Sequence, residues 1–72
     1  MNLSERLTQL KEERNILQKD IADGCNIPLR TYQRYEKGER DIPSLTLIAL
    51  ADFFGVSLDY LVGRTDNPEV NK

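Results

Sequence analysis

The sequence predicts an all-α domain of five short helices. Glycines and prolines punctuate the chain closely, at Gly24, Pro28, Gly38, Pro43, Gly55, Gly63 and Pro68. Most segments between them repeat their apolar residues at helical spacing. No run of alternating β-branched residues is long enough for a strand. At 72 residues the chain holds one domain with a thin core, since a chain of this size buries about 60% of the surface its unfolded form exposes.

The first helix starts at Asn2, with Glu5 three residues on, as in a capping box. Leu3, Leu7 and Leu10 share one face at i, i+4, i+7 spacing. Arg14 and Asn15 mark a polar bend, and Ile16 and Leu17 follow it. A second helix covers Gln18 to Cys25 and buries Ile21, Ala22 and Cys25. Gly24 inside it costs up to ~1 kcal/mol relative to alanine, so fraying is expected at that end. Asn26 suits a left-handed turn. Pro28 suits the first position of a third helix, where no amide donor is needed. That helix runs to Lys37 and stops at Gly38. Pro43 repeats the device and opens a fourth helix ending at Phe54, before Gly55. Its inner stripe is Leu47, Ala51 and Phe54, widened by Ile48 and Leu50. Ser57 caps a fifth helix, with Val56 and Leu61 spaced as a hydrophobic staple, and Gly63 ends it. The domain is therefore expected to cover residues 1–63. Residues 64–72 are polar, contain Asn67-Pro68 and read as a flexible tail.

Ten Lys and Arg against twelve Asp and Glu give a net charge of −2, with a pI near 5.0. Bulk positive charge is thus no route to a polyanion, whereas a local basic face still is. The apolar content of 39% and charged content of 31% are those of a soluble globular domain. A single cysteine, Cys25, makes no internal disulfide, and the lack of histidine removes any Cys/His metal set. Cys25 has no base partner and reads as a small buried filler. Glu12, Glu13, Asp20 and Asp23 read as solvated surface. No cofactor and no enzymatic activity are expected. The N-terminus, Met-Asn-Leu-Ser-Glu-Arg-Leu, carries charges where a signal peptide needs an apolar run. Leu45 to Phe54 is too short to cross a bilayer. A cytoplasmic protein without a membrane partner is expected.

The joint between the second and third helices is the informative one. Two short helices meet across a three- to four-residue turn, the layout of a helix-turn-helix unit that lays its second helix in the major groove. At roughly 100° per residue, Arg30, Gln33, Arg34 and Lys37 of the third helix fall on one side, with Leu29 at the leading edge. Tyr32 points away, and Tyr35 lies nearer to Tyr32 than to that side. Between Pro28 and Lys37 stand three basic residues against one acid, Glu36, inside an acidic chain. Guanidinium and amide groups match base edges, as arginine on guanine or glutamine on adenine. Lys37, at the helix end, suits a phosphate. Gln18, at the amino end of the second helix, adds an amide donor to a phosphate site. Charge patterning alone is more often the mark of a solvated face.

The run from Gln18 through Gly38, followed by Ile42-Pro43 and Leu47 to Leu61, resembles the xenobiotic-response-element/Cro-CI family of bacterial and phage repressors. The resemblance extends from about Leu3 to Arg64. It implies a lambda-repressor-like fold and a sequence-specific regulator of double-stranded DNA in the bacterial nucleoid. It implies a phosphate contact for Gln18 and the obligatory small residue for Ala22. The turn glycine is replaced by Asn26. The base-reading positions fall on Leu29, Arg30, Gln33 and Arg34. The Tyr-Glu-x-Gly ending falls on Tyr35, Glu36 and Gly38, and the family's pairing of that glutamate implies a structural ion pair between Lys11 and Glu36. Pro28 departs from the usual Ser or Thr, and Leu29 stands where a polar base reader is common. Leu29 either meets a thymine methyl or reads nothing.

A Cro-like repressor acting as a homodimer on a two-fold operator is the leading expectation. The different class is a protein-interaction module, such as an antitoxin or adaptor. A chain ending at Lys72 reads as one without a peptidase or ligand-sensing domain, so regulation is expected from a separate protein, from competition at the operator or from the level of synthesis. Phe53, Leu58 and Tyr60 are candidates for the dimer surface, with pairing mainly on DNA. Alternatively, the fifth helix simply covers Phe53.

Overall fold

Residues 2–69 are described by a computed structural model. Five helices follow one another: α1 (Leu3–Glu13), α2 (Gln18–Gly24), α3 (Leu29–Lys37), α4 (Ser44–Phe54) and α5 (Leu58–Leu61). The described residues contain no strand.

The helix ends are set by local chemistry. Asn2 caps α1: its side chain accepts from the Glu5 amide at 2.9 Å, while the Glu5 carboxylate accepts from the Asn2 amide at 3.1 Å. Asn15 and Asn26 both adopt the left-handed conformation, at φ 56° and 57°, so each turn is made by a residue that tolerates it. Gly38 and Gly55 stop α3 and α4 in the same conformation. Ser57 caps α5 by accepting from the Tyr60 amide.

Pro28 and Pro43 sit one position earlier than the sequence suggests. Each is the cap and not the first helical residue, with ψ of 139° and 150°. Their carbonyls accept the first helical bonds, from the Tyr32 and Leu47 amides. A proline cap still works because its missing amide lies outside the helical ladder.

The core joins Leu7 and Leu10 of α1, Ile21 and Ala22 of α2, Tyr32 and Tyr35 of α3, Leu50, Ala51 and Phe54 of α4, and Tyr60 and Leu61 of α5. Val56 and Leu61, the expected staple pair, are both buried. Two expectations need correction. Ile48 is not inward but 46% exposed, and Leu47 is only partly buried. Cys25 lies just beyond α2, half-buried, with its thiol 3.7 Å from the Ala49 carbonyl oxygen. Gly24 is the last residue of α2, and the Phe53 ring lies on it so closely that a Cβ there would collide with the ring. The glycine makes room for an aromatic ring.

Residues 64–69, expected to be a flexible tail, are tied back to the domain. Arg6 is buried and its guanidinium lies 3.8 Å from the Tyr60 ring centroid. Arg6 donates from Nε to the Tyr60 carbonyl at 2.9 Å and from Nη2 to the Thr65 carbonyl at 3.3 Å. The Ser57 amide donates to the Pro68 carbonyl at 2.9 Å. The rest of that tail, residues 70–72, lies outside the described residues.

Candidate nucleic-acid interface

The α2–turn–α3 unit is built from inside outward. Ile21, Ala22 and Tyr32 are fully or almost fully buried and fix α3 against α2. Between them, Ile27 is buried and its amide donates to the Ala22 carbonyl at 2.8 Å, which closes the turn around Asn26. Tyr35 packs in the core as well, so neither tyrosine of α3 is free to stack on a base.

With both tyrosines inside, the opposite side of α3 faces solvent. Leu29, Arg30, Arg34 and Lys37 are exposed and Gln33 is half-buried. Glu36, the single acid of the helix, is turned inward. Lys11 Nζ donates to its Oε1 at 2.7 Å, with the Glu36 side chain 10% and the Lys11 side chain 21% exposed. The exposed charges of α3 are therefore all positive. Within an acidic chain, α3 presents a cationic side because the one acid of that helix is paired with Lys11 of α1.

The Lys11–Glu36 pair holds the inner side of that helix. Glu36 Oε2 and the Tyr32 hydroxyl are both buried without a hydrogen-bond partner. Burial, and then the charge of Glu36, hold the Tyr32 phenol protonated well beyond the usual tyrosine range. Burial likewise raises the Cys25 thiol, which suits a packing role over a nucleophilic one.

Gln18 is the first residue of α2 and is also half-buried. Its Oε1 accepts from Gln33 Nε2 at 3.2 Å. The sequence places these residues in separate roles, whereas the fold joins them into one amide pair. That contact leaves Gln33 Oε1 and the second hydrogen of its amide nitrogen unused, and also the Gln18 amide. Two further exposed cations escaped the helical projection. Lys19 follows Gln18, and Arg40 lies in the loop after Gly38.

A family profile described as "Helix-turn-helix" matches residues 7–61. The chain belongs to the helix-turn-helix family. Among its curated relatives, the HTH-type transcriptional regulator ImmR of Bacillus subtilis is 32% identical over all 72 residues, which span 57% of that protein. AnsR, another HTH-type transcriptional regulator of Bacillus subtilis, is 45% identical over 89% of this chain and 54% of its own length. The cryptic phage CTXphi transcriptional repressor RstR of Vibrio cholerae is 37% identical over 89% of this chain and 57% of its own. A crystal structure of a transcriptional regulator from Listeria innocua superposes with a TM-score of 0.79 at 38% identity, covering 85% of this chain and 57% of that one. This chain thus spans little more than half the length of these relatives. Within the helix-turn-helix family the α2–turn–α3 unit is the defining element, and the profile match encloses all of it.

The expected dimer surface divides on inspection. Tyr60 is buried beneath Arg6 and is not part of an open surface. Phe53 is not covered by α5; it rests on Gly24 of α2 and keeps 36% of its surface exposed. Leu58 is exposed, and it lines one groove with Ile48. Leu45, 80% exposed, stands one helical turn before Ile48 on the outward side of α4. Asp52 is exposed on the same side. Among the described residues, no helix is long and apolar enough to cross a membrane, and no group of acidic, Cys or His side chains could hold a metal ion.

Proposed function

We propose that this chain is a transcriptional repressor that binds double-stranded DNA sequence-specifically, with α3 in the major groove. The observation that carries this reading is the outer side of α3, where every exposed charge is positive. Arg30 and Arg34 have the donor geometry for guanine O6 and N7. Gln33 has one amide hydrogen and its Oε1 left for adenine N7 and N6 while it holds Gln18. Gln18 and Lys37 take phosphates. The names of ImmR, AnsR and RstR as transcriptional regulators or repressor support the assignment, and their bacterial and phage origin supports a place in the bacterial nucleoid.

A single α3 reads few base pairs, so the protein acts as a dimer on a two-fold operator with half-sites ~34–36 Å apart. Phe53 and Leu58, joined by Leu45 and Ile48, supply an apolar surface for the second copy. Asp52 lies within that surface, and a two-fold axis through it brings the two carboxylates together. That repulsion keeps the free protein weakly associated and leaves assembly to the operator.

The test is a gel shift of the chain on selected genomic fragments at two salt concentrations. Saturable binding that weakens with salt is expected. Arg30→Ala and Arg34→Ala should each lose ~1–3 kcal/mol and relax preference at particular base pairs, while Lys37→Ala should weaken all sequences alike. Absence of binding at low salt would leave the domain as a module for holding another protein.

A further inference from the structure

Leu29 stands outside the core of the fold. It is the first residue of α3 and 41% exposed. It belongs neither to the buried core nor to the partly buried residues packed against it. A lone exposed leucine is ordinary on a protein surface. This one stands where the chain should be most polar. It is the one apolar residue among the exposed residues of α3, the others being Arg30, Arg34 and Lys37. Gln33, one turn on, lies on the same side of the helix.

We infer that Leu29 reads the 5-methyl group of a thymine, and so adds a thymine to the operator near the adenine taken by Gln33. The inference rests on α3 being the recognition helix. In the major groove thymine is the base that presents a methyl group, and an apolar side chain is its match. The N-terminal residues of a recognition helix approach the base edges, and Leu29 is the first of them. Four residues of helix rise about 6 Å, roughly two base-pair steps of 3.4 Å. The thymine therefore lies one or two base pairs from the Gln33 adenine. Pro28 reinforces the apolar entrance: it is exposed beside Leu29 and has no side-chain hydroxyl or amide hydrogen to offer a phosphate. The first turn of α3 is thus specialised for a methyl group, and the later turns for polar edges.

The experiment begins with duplexes selected from a random pool by the intact chain. Failure to select any duplex with saturable, salt-weakened binding would overturn the DNA-binding reading itself. With a selected operator in hand, each thymine is replaced singly by deoxyuridine, which removes only the methyl. One thymine per half-site should then weaken binding about fourfold, the effect of one buried methyl group. It should lie one or two base pairs from the adenine at which Gln33→Ala loses its preference. Leu29→Ala should bind deoxyuridine and thymine equally at that position and keep its preferences elsewhere. Both proteins are measured at reduced salt so that the weaker variant still saturates, and thermal melts establish that it is folded. Leu29 reads no methyl if no deoxyuridine weakens the parent chain, or if Leu29→Ala suffers the same loss at that thymine. The inference fails in either case, while the recognition role of Arg30 and Arg34 stands.

Discussion

Arg6 and Lys11 are two cations of one helix, both withdrawn from water, and they are held on different terms. Each nitrogen of the Arg6 guanidinium is engaged. Nε bonds the Tyr60 carbonyl, Nη1 bonds Gln9, Nη2 bonds the Thr65 carbonyl, and the guanidinium plane stacks on the Tyr60 ring. Its ion pair with Asp66, at 3.5 Å, adds little because that carboxylate is wholly exposed. Lys11 makes one short bond to Glu36, and the second carboxylate oxygen and the Tyr32 hydroxyl beside it are buried without partners. A cation engaged at every nitrogen works as a tie, here between residues 54 positions apart. A half-satisfied cluster works as a seat. It places α3 and pairs with its one acid, and it leaves buried polar atoms unmet on the inner side of that helix. Damage at Arg6 should therefore be felt in stability, and damage at Glu36 in stability and DNA binding together.

The largest expected effect is at the tie. Arg6→Ala removes several charge-assisted bonds and a cation–π contact and should cost ~2–4 kcal/mol. Chemical denaturation reads that loss, and operator affinity measured well below the melting temperature should be unchanged. An affinity loss in folded Arg6→Ala protein would break the contrast between the two sites. Ending the chain after Gly63 removes the Thr65 and Pro68 carbonyl partners together and should cost ~1–2 kcal/mol. A melt identical to that of the longer chain would make residues 64–69 a free tail after all.

At the seat, Glu36→Ala strands Lys11. Full burial of such a pair would put the cost at ~3–5 kcal/mol. Lys11 keeps a fifth of its side chain in water, so about 2 kcal/mol is expected. The double-mutant cycle with Lys11→Ala should show coupling, and additive losses would mean that the two side chains do not meet in solution. Glu36→Gln tests the electrostatic half of the role, because it leaves Lys11 as an uncompensated cation near α3 and should steepen the salt dependence of DNA binding.

The smallest effect is at Tyr32. Its hydroxyl has no hydrogen bond of normal geometry but lies near the Glu36 carboxylate, so Tyr32→Phe should change stability at neutral pH by no more than ~1 kcal/mol. Its consequence is alkaline. Burial raises this phenol in the folded state, so only the unfolded chain ionises it near pH ~10. The folded form then holds the extra proton, and stability contributed by the neutral phenol falls as pH rises above that value. Denaturation midpoints between neutral and strongly alkaline pH should fall less in Tyr32→Phe than in the parent.

Much of this was legible without coordinates, and the reason is range. The caps at Asn2 and Ser57, the turns at Asn26, Gly38 and Gly55 and the leucine stripe of α1 depend on residues within four positions of one another. The cationic side of α3 follows from the helical repeat alone, and the structure keeps it outward. The Lys11–Glu36 contact was accessible only through resemblance, since nothing local links residues 25 apart. Arg6 left a faint trace. It sits three residues after Leu3 and four before Leu10, a cation on the apolar stripe itself. Its partners lie at the other end of the chain, and only packing brings them to it. The same holds for Gly24, which reads as a weak point in a helix until Phe53 is placed over it, and for Ile48 and Tyr60, whose exposure and burial depend on where α5 and Arg6 settle. Local backbone chemistry, written in neighbouring residues, determined the five helices and the face of the third. Which buried charges find partners, and which apolar groups stay uncovered, was decided by contacts between distant segments, whose energies no short stretch of sequence contains.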